Sequence, residues 1–258
     1  MLRPRVTPCL LVHKGGLVKT VAFTQPKYVG DPINAVKIFN EKEADEIIVV
    51  DIDATRSGGS PDFTLIERLA VECRMPLCYG GGVRTAAQAK HIIGLGVEKV
   101  AVSAAAIARP ALISEIASEI GSQSVAVVID VKRTGAGAYV AWTHNGTRSS
   151  GVDAFSVARE AESRGAGEIV VNSIDRDGQM KGYDLELARQ LRAVTTLPMT
   201  VLGGAGSLEH MAQLIGVCGV VGAAAGSLFV FKGTYRAVLI NYPTRGQKDE
   251  LPNAATSS

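Results

Sequence analysis

One acidic residue closes an apolar run near the middle of the chain. The segment Val125–Arg133 reads VAVVIDVKR, with Asp130 at its polar end and Lys132 and Arg133 beyond it. So continuous a run of β-branched residues predicts a central parallel strand buried on both faces, not a half-wet antiparallel one. A carboxylate at the C-terminal end of such a strand stands where barrels and doubly wound sheets place proton-transfer chemistry. Two glycine runs, Gly80-Gly81-Gly82 and Gly203-Gly204-Ala205-Gly206, each end an apolar run and precede a helical stretch. Glycine lets backbone approach a ligand closely, and a helix start favours an anion. Ser103-Ala104-Ala105 and Ala225-Gly226-Ser227 can complete each cradle with N–H groups and a hydroxyl. Tight strand-to-helix turns also demand glycine, but two such runs in register point to the two phosphates of one long ligand.

These residues need elements to hold them. Apolar runs at 6–12, 46–53, 76–80, 99–103, 124–130, 168–174, 198–202 and 220–224 predict strands. Amphipathic stretches at 32–44, 63–72, 86–95, 110–120, 154–164, 185–193, 208–215 and 229–240 predict helices. Asp31-Pro32, Asp62, Thr85, Asp153, Asp184 and Ser207 mark helix starts. Eight strand–helix units are most economically a single (β/α)8 TIM barrel; a doubly wound open sheet would leave eight parallel strands unclosed. An internal repeat decides for the barrel. Ile52-Asp53 matches Ile174-Asp175, Pro76 matches Pro198, and Gly81-Gly82 matches Gly203-Gly204, each pair 122 residues apart. Half-barrels of four units account for that period, and no linker separates them near 121–124. One barrel domain over 1–242 is expected, with a flexible C-terminal tail over 243–258.

Composition narrows the function classes. With 258 residues and 47% hydrophobic content the chain can bury one large core. Net charge is +2 and the 27 basic residues are spread without a stripe, which argues against nucleic acid. Cys9, Cys73, Cys78 and Cys218 show no CxxC and no metal spacing, so reduced thiols, no metal and no cofactor are expected. The apolar run after Arg5 is broken by Pro8 and by His13-Lys14, too short to span a membrane; a cytoplasmic location is expected.

The segments YGGGVRTAAQA, EIVVNSIDRDGQMKGYD, VLGGAGSLEH and GSQSVAVVIDVKR resemble the cyclase subunit of the imidazole glycerol phosphate synthase family, from about Arg5 to Tyr235. The resemblance implies a (β/α)8 lyase of histidine biosynthesis that takes a bisphosphorylated substrate. It also implies a heterodimer in which a separate glutaminase, docked on the N-terminal barrel face, supplies ammonia. Residue by residue, it implies an ammonia gate of Arg5, Glu46, Lys99 and Glu168. Phosphate contacts fall on Gly81, Gly82, Ser103, Asp177, Gly178, Gly203, Gly204, Gly226 and Ser227, and catalysis on Asp130.

One departure matters. The family pairs two catalytic aspartates, at the ends of its first and fifth strands, and here the first-strand motif Cys9-Leu10-Leu11-Val12-His13 puts Leu11 where an aspartate belongs. Leucine carries no proton, and losing such a group typically costs about 10²–10⁴-fold. His13, two residues on, is the nearest titratable substitute. The segments LLVHKGGLVKT, GDPINAVKIFNEKEADE and PLCYGGGV resemble a cyclase-like branch associated with glycosyl amidation in surface-polysaccharide (O-antigen) gene clusters. That branch implies delivery of ammonia to a sugar amidotransferase. The alternatives are an authentic cyclase that uses Asp130 with another acid, and a related sugar-phosphate isomerase.

Overall fold

The computed structural model describes residues 3–255. Eight parallel strands close on themselves: β1 Arg5–His13, β2 Ile47–Asp51, β3 Leu77–Gly80, β4 Lys99–Val102, β5 Val125–Arg133, β6 Glu168–Ser173, β7 Met199–Leu202 and β8 Gly222–Ala225. The seam is β8 against β1, with Arg5 opposite Gly222 and Pro8 opposite Ala225. Helices follow the strands, so the fold is the (β/α)8 barrel, with no open edge in its central sheet.

Strand period two sorts each strand into two environments. On β1, Val6, Leu10 and Val12 join the layer between sheet and helices, while Cys9 and Leu11 face the bore. Ile169 and Val171 of β6 go outward in the same way, and Val170 inward. The helix starts lie where the sequence places them. Asp31 accepts from Asn34 N–H at 2.8 Å with Pro32 at the first helical position, and Thr85 and Gln88 form a reciprocal capping box.

Three features depart from expectation. First, β5 is parallel to β4 and β6 only along part of its length; from Asp130 to Arg133 it also pairs antiparallel with a hairpin arm, Tyr139–Thr143 and Arg148–Asp153. A matching arm, Gly16–Val21 and Thr24–Gly30, folds back on β1. Lys14 and Gly15, both at positive φ, make the two-residue turn that starts it, a geometry matching the twist of the strands. Second, the helix expected over 229–240 is only Ser227–Val230, followed by a small hairpin of Phe231–Lys232 and Ala237–Val238. Gly233 at positive φ turns the chain there. Third, the expected tail holds a helix, Arg245–Ala255, whose Leu251 is buried and whose Lys248 pairs with Asp45 at 2.5 Å.

Candidate functional site

At the N-terminal end of the barrel, Arg5, Glu46, Lys99 and Glu168 alternate in sign around the bore. The Arg5 guanidinium lies 3.0 Å from Glu46 and 2.7 Å from Glu168; the Lys99 ammonium lies 2.6 Å from Glu46 and 2.7 Å from Glu168. Burying lone charges would be prohibitive, so the ring is tolerable because every charge has two partners of opposite sign. Thr200 Oγ1 also donates to Glu168 at 2.6 Å. Burial disfavours the charge on Arg5 and Lys99, yet Glu168 and Glu46 outweigh it and hold both above their ordinary values. Burial likewise opposes ionised Glu168, and Lys99 and Arg5 overcome it, holding its carboxyl below the usual range. The two carboxylates are almost fully enclosed, whereas the Arg5 side chain is 32% and the Lys99 side chain 18% exposed. Rearrangement is therefore cheaper for the cations.

Above the ring the bore turns apolar, with a collar of Cys9, Ile48, Cys78, Ala101, Ala126 and Val170. Burial raises the Cys78 thiol well above its ordinary value and pushes Cys9 up to about 11, so both stay neutral. Leu11, Val50, Val128 and Leu202 continue this lining upward.

The bore opens into a cavity of ≈ 330 Å³ at the C-terminal end of the strands. Asp130 lies in its wall, its carboxylate accepting a 3.2 Å hydrogen bond from Asn172 Nδ2. Burial pushes the Asp130 carboxyl up to about 7, against the pull of Asn172 and with the help of nearby Asp177. Leu11 lines the same cavity from β1, so the mouth has an acid–base group on one side and hydrocarbon on the other. His13 does not fill the gap: it is absent from the cavity wall, and its Nδ1 lies 2.7 Å from Asp53 Oδ1.

The cradle residues converge on this mouth. Gly81, Gly82, Ser103, Asp177, Gly178, Gly203, Gly204, Gly226 and Ser227 all line the cavity. Packing demands glycine as well at Gly81, Gly178, Gly203 and Gly204, where a Cβ would fall 2.5 Å from Asp51 O, 2.2 Å from Thr20 O, 2.6 Å from Ser173 O and 2.1 Å from Gly182 O. Turn geometry thus explains these glycines without a ligand. It does not explain Ser103, a residue of the cavity wall whose buried Oγ has no hydrogen-bond partner among the described residues. The Asp177 carboxylate is engaged otherwise, accepting from Thr20 Oγ1 at 2.7 Å and Phe23 N at 3.1 Å; burial raises its pKa. Asp177 therefore fastens the first hairpin arm. The second arm is tied by Asn145 Nδ2 donating to Ile52 O at 2.6 Å, and the tips meet where Phe23 packs beside Gly146.

Lys19 and Asn172 are among the cavity residues that escaped the sequence reading. Lys19 is buried, its ammonium donating to Cys9 O and lying against Gly226; burial lowers its pKa. In LVKTV it sits between apolar neighbours, a pattern that reads equally well as solvent-facing. Asn172 carried no signal beyond its place beside the SIDRDG motif.

The histidine biosynthesis protein family model matches residues 5–236. A protein of Leptospira interrogans provisionally named imidazole glycerol phosphate synthase subunit HisF is 56% identical over 252 residues, 97% of this chain and 99% of the relative. A Vibrio vulnificus protein provisionally named subunit hisF3 is 54% identical over 96% of each chain. The imidazole glycerol phosphate synthase subunit HisF of Exiguobacterium sibiricum is 42% identical over 89% of this chain and 91% of its own length. The chain belongs to the histidine biosynthesis protein family, among its HisF-type subunits of imidazole glycerol phosphate synthase.

Proposed function

We propose that this barrel is the ammonia-conducting subunit of a glutamine amidotransferase that no longer runs the histidine-pathway cyclisation. A glutaminase docks on the N-terminal face as its heterodimer partner. Ammonia enters past the ring of Arg5, Glu46, Lys99 and Glu168 and follows the apolar collar to the mouth. There it is passed to a sugar amidotransferase acting on a surface-polysaccharide sugar, and the cradles of Gly82 with Ser103 and Gly203 with Ser227 hold a phosphorylated ligand. One observation carries this reading: a complete four-charge ring stands below a mouth whose proton-transfer pair is reduced to Asp130 facing Leu11. Neutral ammonia crosses hydrocarbon at little cost, whereas ammonium would shed its hydration there. Among the described residues no helix is long and apolar enough to cross a membrane.

Lys99→Ala tests the conduit. It removes one of two cations from each carboxylate while leaving the glutaminase-docking surface in place. In a three-component system of barrel, glutaminase and acceptor enzyme, glutamine hydrolysis should continue while aminated product per glutamate falls. An unchanged ratio would mean that ammonia takes another route.

A second reading, an authentic cyclase, is favoured by the Asp130 carboxyl, which burial pushes up to about 7, the range that suits a general acid–base group. Ammonia-dependent turnover of the bisphosphorylated ribulosyl substrate separates the two.

A further inference from the structure

Along β1 the inward positions are Arg5 in the ring, then Cys9 and Leu11 in the bore, while Val6, Leu10 and Val12 pack under the helices. Thr7 falls between Arg5 and Cys9 on that inward face, opposite Ala224 of β8. It is fully buried, and its Oγ1 has no hydrogen-bond partner among the described residues. Thr200, the other threonine near the ring, is satisfied: it donates to Glu168 and accepts from Arg5 Nη2 at 3.4 Å. The ring carboxylates are already occupied by Arg5, Lys99 and Thr200. A buried hydroxyl without a partner carries a desolvation penalty that a methyl group would not. In an empty, dry bore, valine would fill the same shape at lower cost.

We propose that Thr7 Oγ1 is a docking point for one small neutral hydrogen-bonding molecule just inside the charged ring, water in the resting protein and ammonia in transit. The hydroxyl can donate its proton to the lone pair of water or ammonia and accept an N–H or O–H in return. Ammonium could only donate to it and would still bring an unpaired charge into the bore, so its exclusion rests on the apolar collar. The ammonia half of this assignment rests on the conduit reading above; the water half does not.

Thr7→Val tests both, with Thr7→Ser as the control that keeps the hydroxyl. Crystals of the wild-type chain grown without ammonium should show a solvent peak within hydrogen-bond distance of Thr7 Oγ1 that Thr7→Val lacks. Thr7→Val should melt no higher than wild type. In the three-component system, Thr7→Val should lower glutamine-driven product about fivefold, the worth of one ordinary hydrogen bond. Product driven by bulk ammonium salt, which reaches the acceptor from outside, should be unchanged, and Thr7→Ser should restore the glutamine-driven rate. A dry site with Thr7→Val melting higher would overturn the docking point. An unchanged glutamine-driven rate would overturn the ammonia assignment. If Thr7→Val is silent while Lys99→Ala uncouples, only the docking point falls; if Lys99→Ala is silent too, the conduit falls with it.

Discussion

Asp130→Asn replaces the carboxyl of the mouth by an amide of the same shape, and its effect on stability should depend on pH in a definite sense. Burial raises this carboxyl from an ordinary 3.8 to about 7, only partly offset by Asn172 and reinforced by Asp177. The folded protein therefore holds the proton more tightly than the unfolded chain does. Wild-type stability falls as pH rises from about 4 and levels off above about 7. Three pKa units at about 1.36 kcal/mol each set an upper bound of about 4 kcal/mol. The side chain borders a cavity open to solvent, so about 2 kcal/mol is the working figure. At pH 5 about a third of that penalty has accrued, and at pH 8.5 all of it. A chain of this size shifts its melting temperature by about 2–4 °C per kcal/mol. Asp130→Asn should then melt about 1–3 °C above wild type at pH 5 and about 4–8 °C above it at pH 8.5. Asn172 Nδ2 can still donate to the new amide oxygen, so the gain is not confounded by a lost hydrogen bond. Thermal unfolding of both proteins at three pH values and constant ionic strength measures it. A gap that does not widen with pH, or a mutant that melts lower at pH 8.5, would refute the claim that the site holds this carboxyl up.

Leu11→Asp restores a second proton-transfer group to the mouth. Wild type should show negligible ammonia-dependent cyclase turnover, and the variant a gain of about 10²-fold or more; robust wild-type turnover would sink the conduit-only reading. Crystals soaked in phosphate should show anions near Gly82 with Ser103 and near Gly203 with Ser227, and empty cradles at high phosphate would reduce the glycines to turn formers. Tyr242→Phe removes a hydroxyl that donates to Val6 O at 2.7 Å and accepts from Asp45 N at 3.0 Å. It should lower the melting temperature by about 2–8 °C, at about 1–2 kcal/mol for the two bonds, and an unchanged melting temperature would show that this bottom-face contact contributes nothing.

The barrel itself was legible because its strands are apolar runs and its helices open on clear caps, Asp31 and Thr85 among them. The two hairpin arms were not. Their strands are half-polar, and Arg148–Asp153 is almost entirely solvent-facing, so neither periodicity nor hydrophobicity marks it. The turn signal was there in Lys14-Gly15, but it looked like the end of a strand and not the start of a reversal. The ring of charges was found by resemblance; composition alone cannot say that residues as far apart as Arg5 and Glu168 meet. Thr7, Lys19 and Asn172 were missed for a related reason. Polar residues inside apolar runs declare themselves only when closure of the barrel shows which face is the bore. The last helix was missed because its buried contact is carried by so few residues, Leu251 foremost.

If the bore conducts ammonia as proposed, the arms whose tips meet above it and the charged ring below would make it an airlock. A single molecule admitted to the ≈ 330 Å³ mouth is at an effective concentration of about 5 M for as long as both ends stay shut. No realistic ammonia level in bulk solution competes with that figure. On the proposed function, such a bore would drive a demanding amination without touching the reacting atoms, provided that the two doors never open together. Order of opening, more than affinity, is what this architecture would have to control, and Asp177, which fastens Thr20 and Phe23 of one arm, is the natural latch on the upper door.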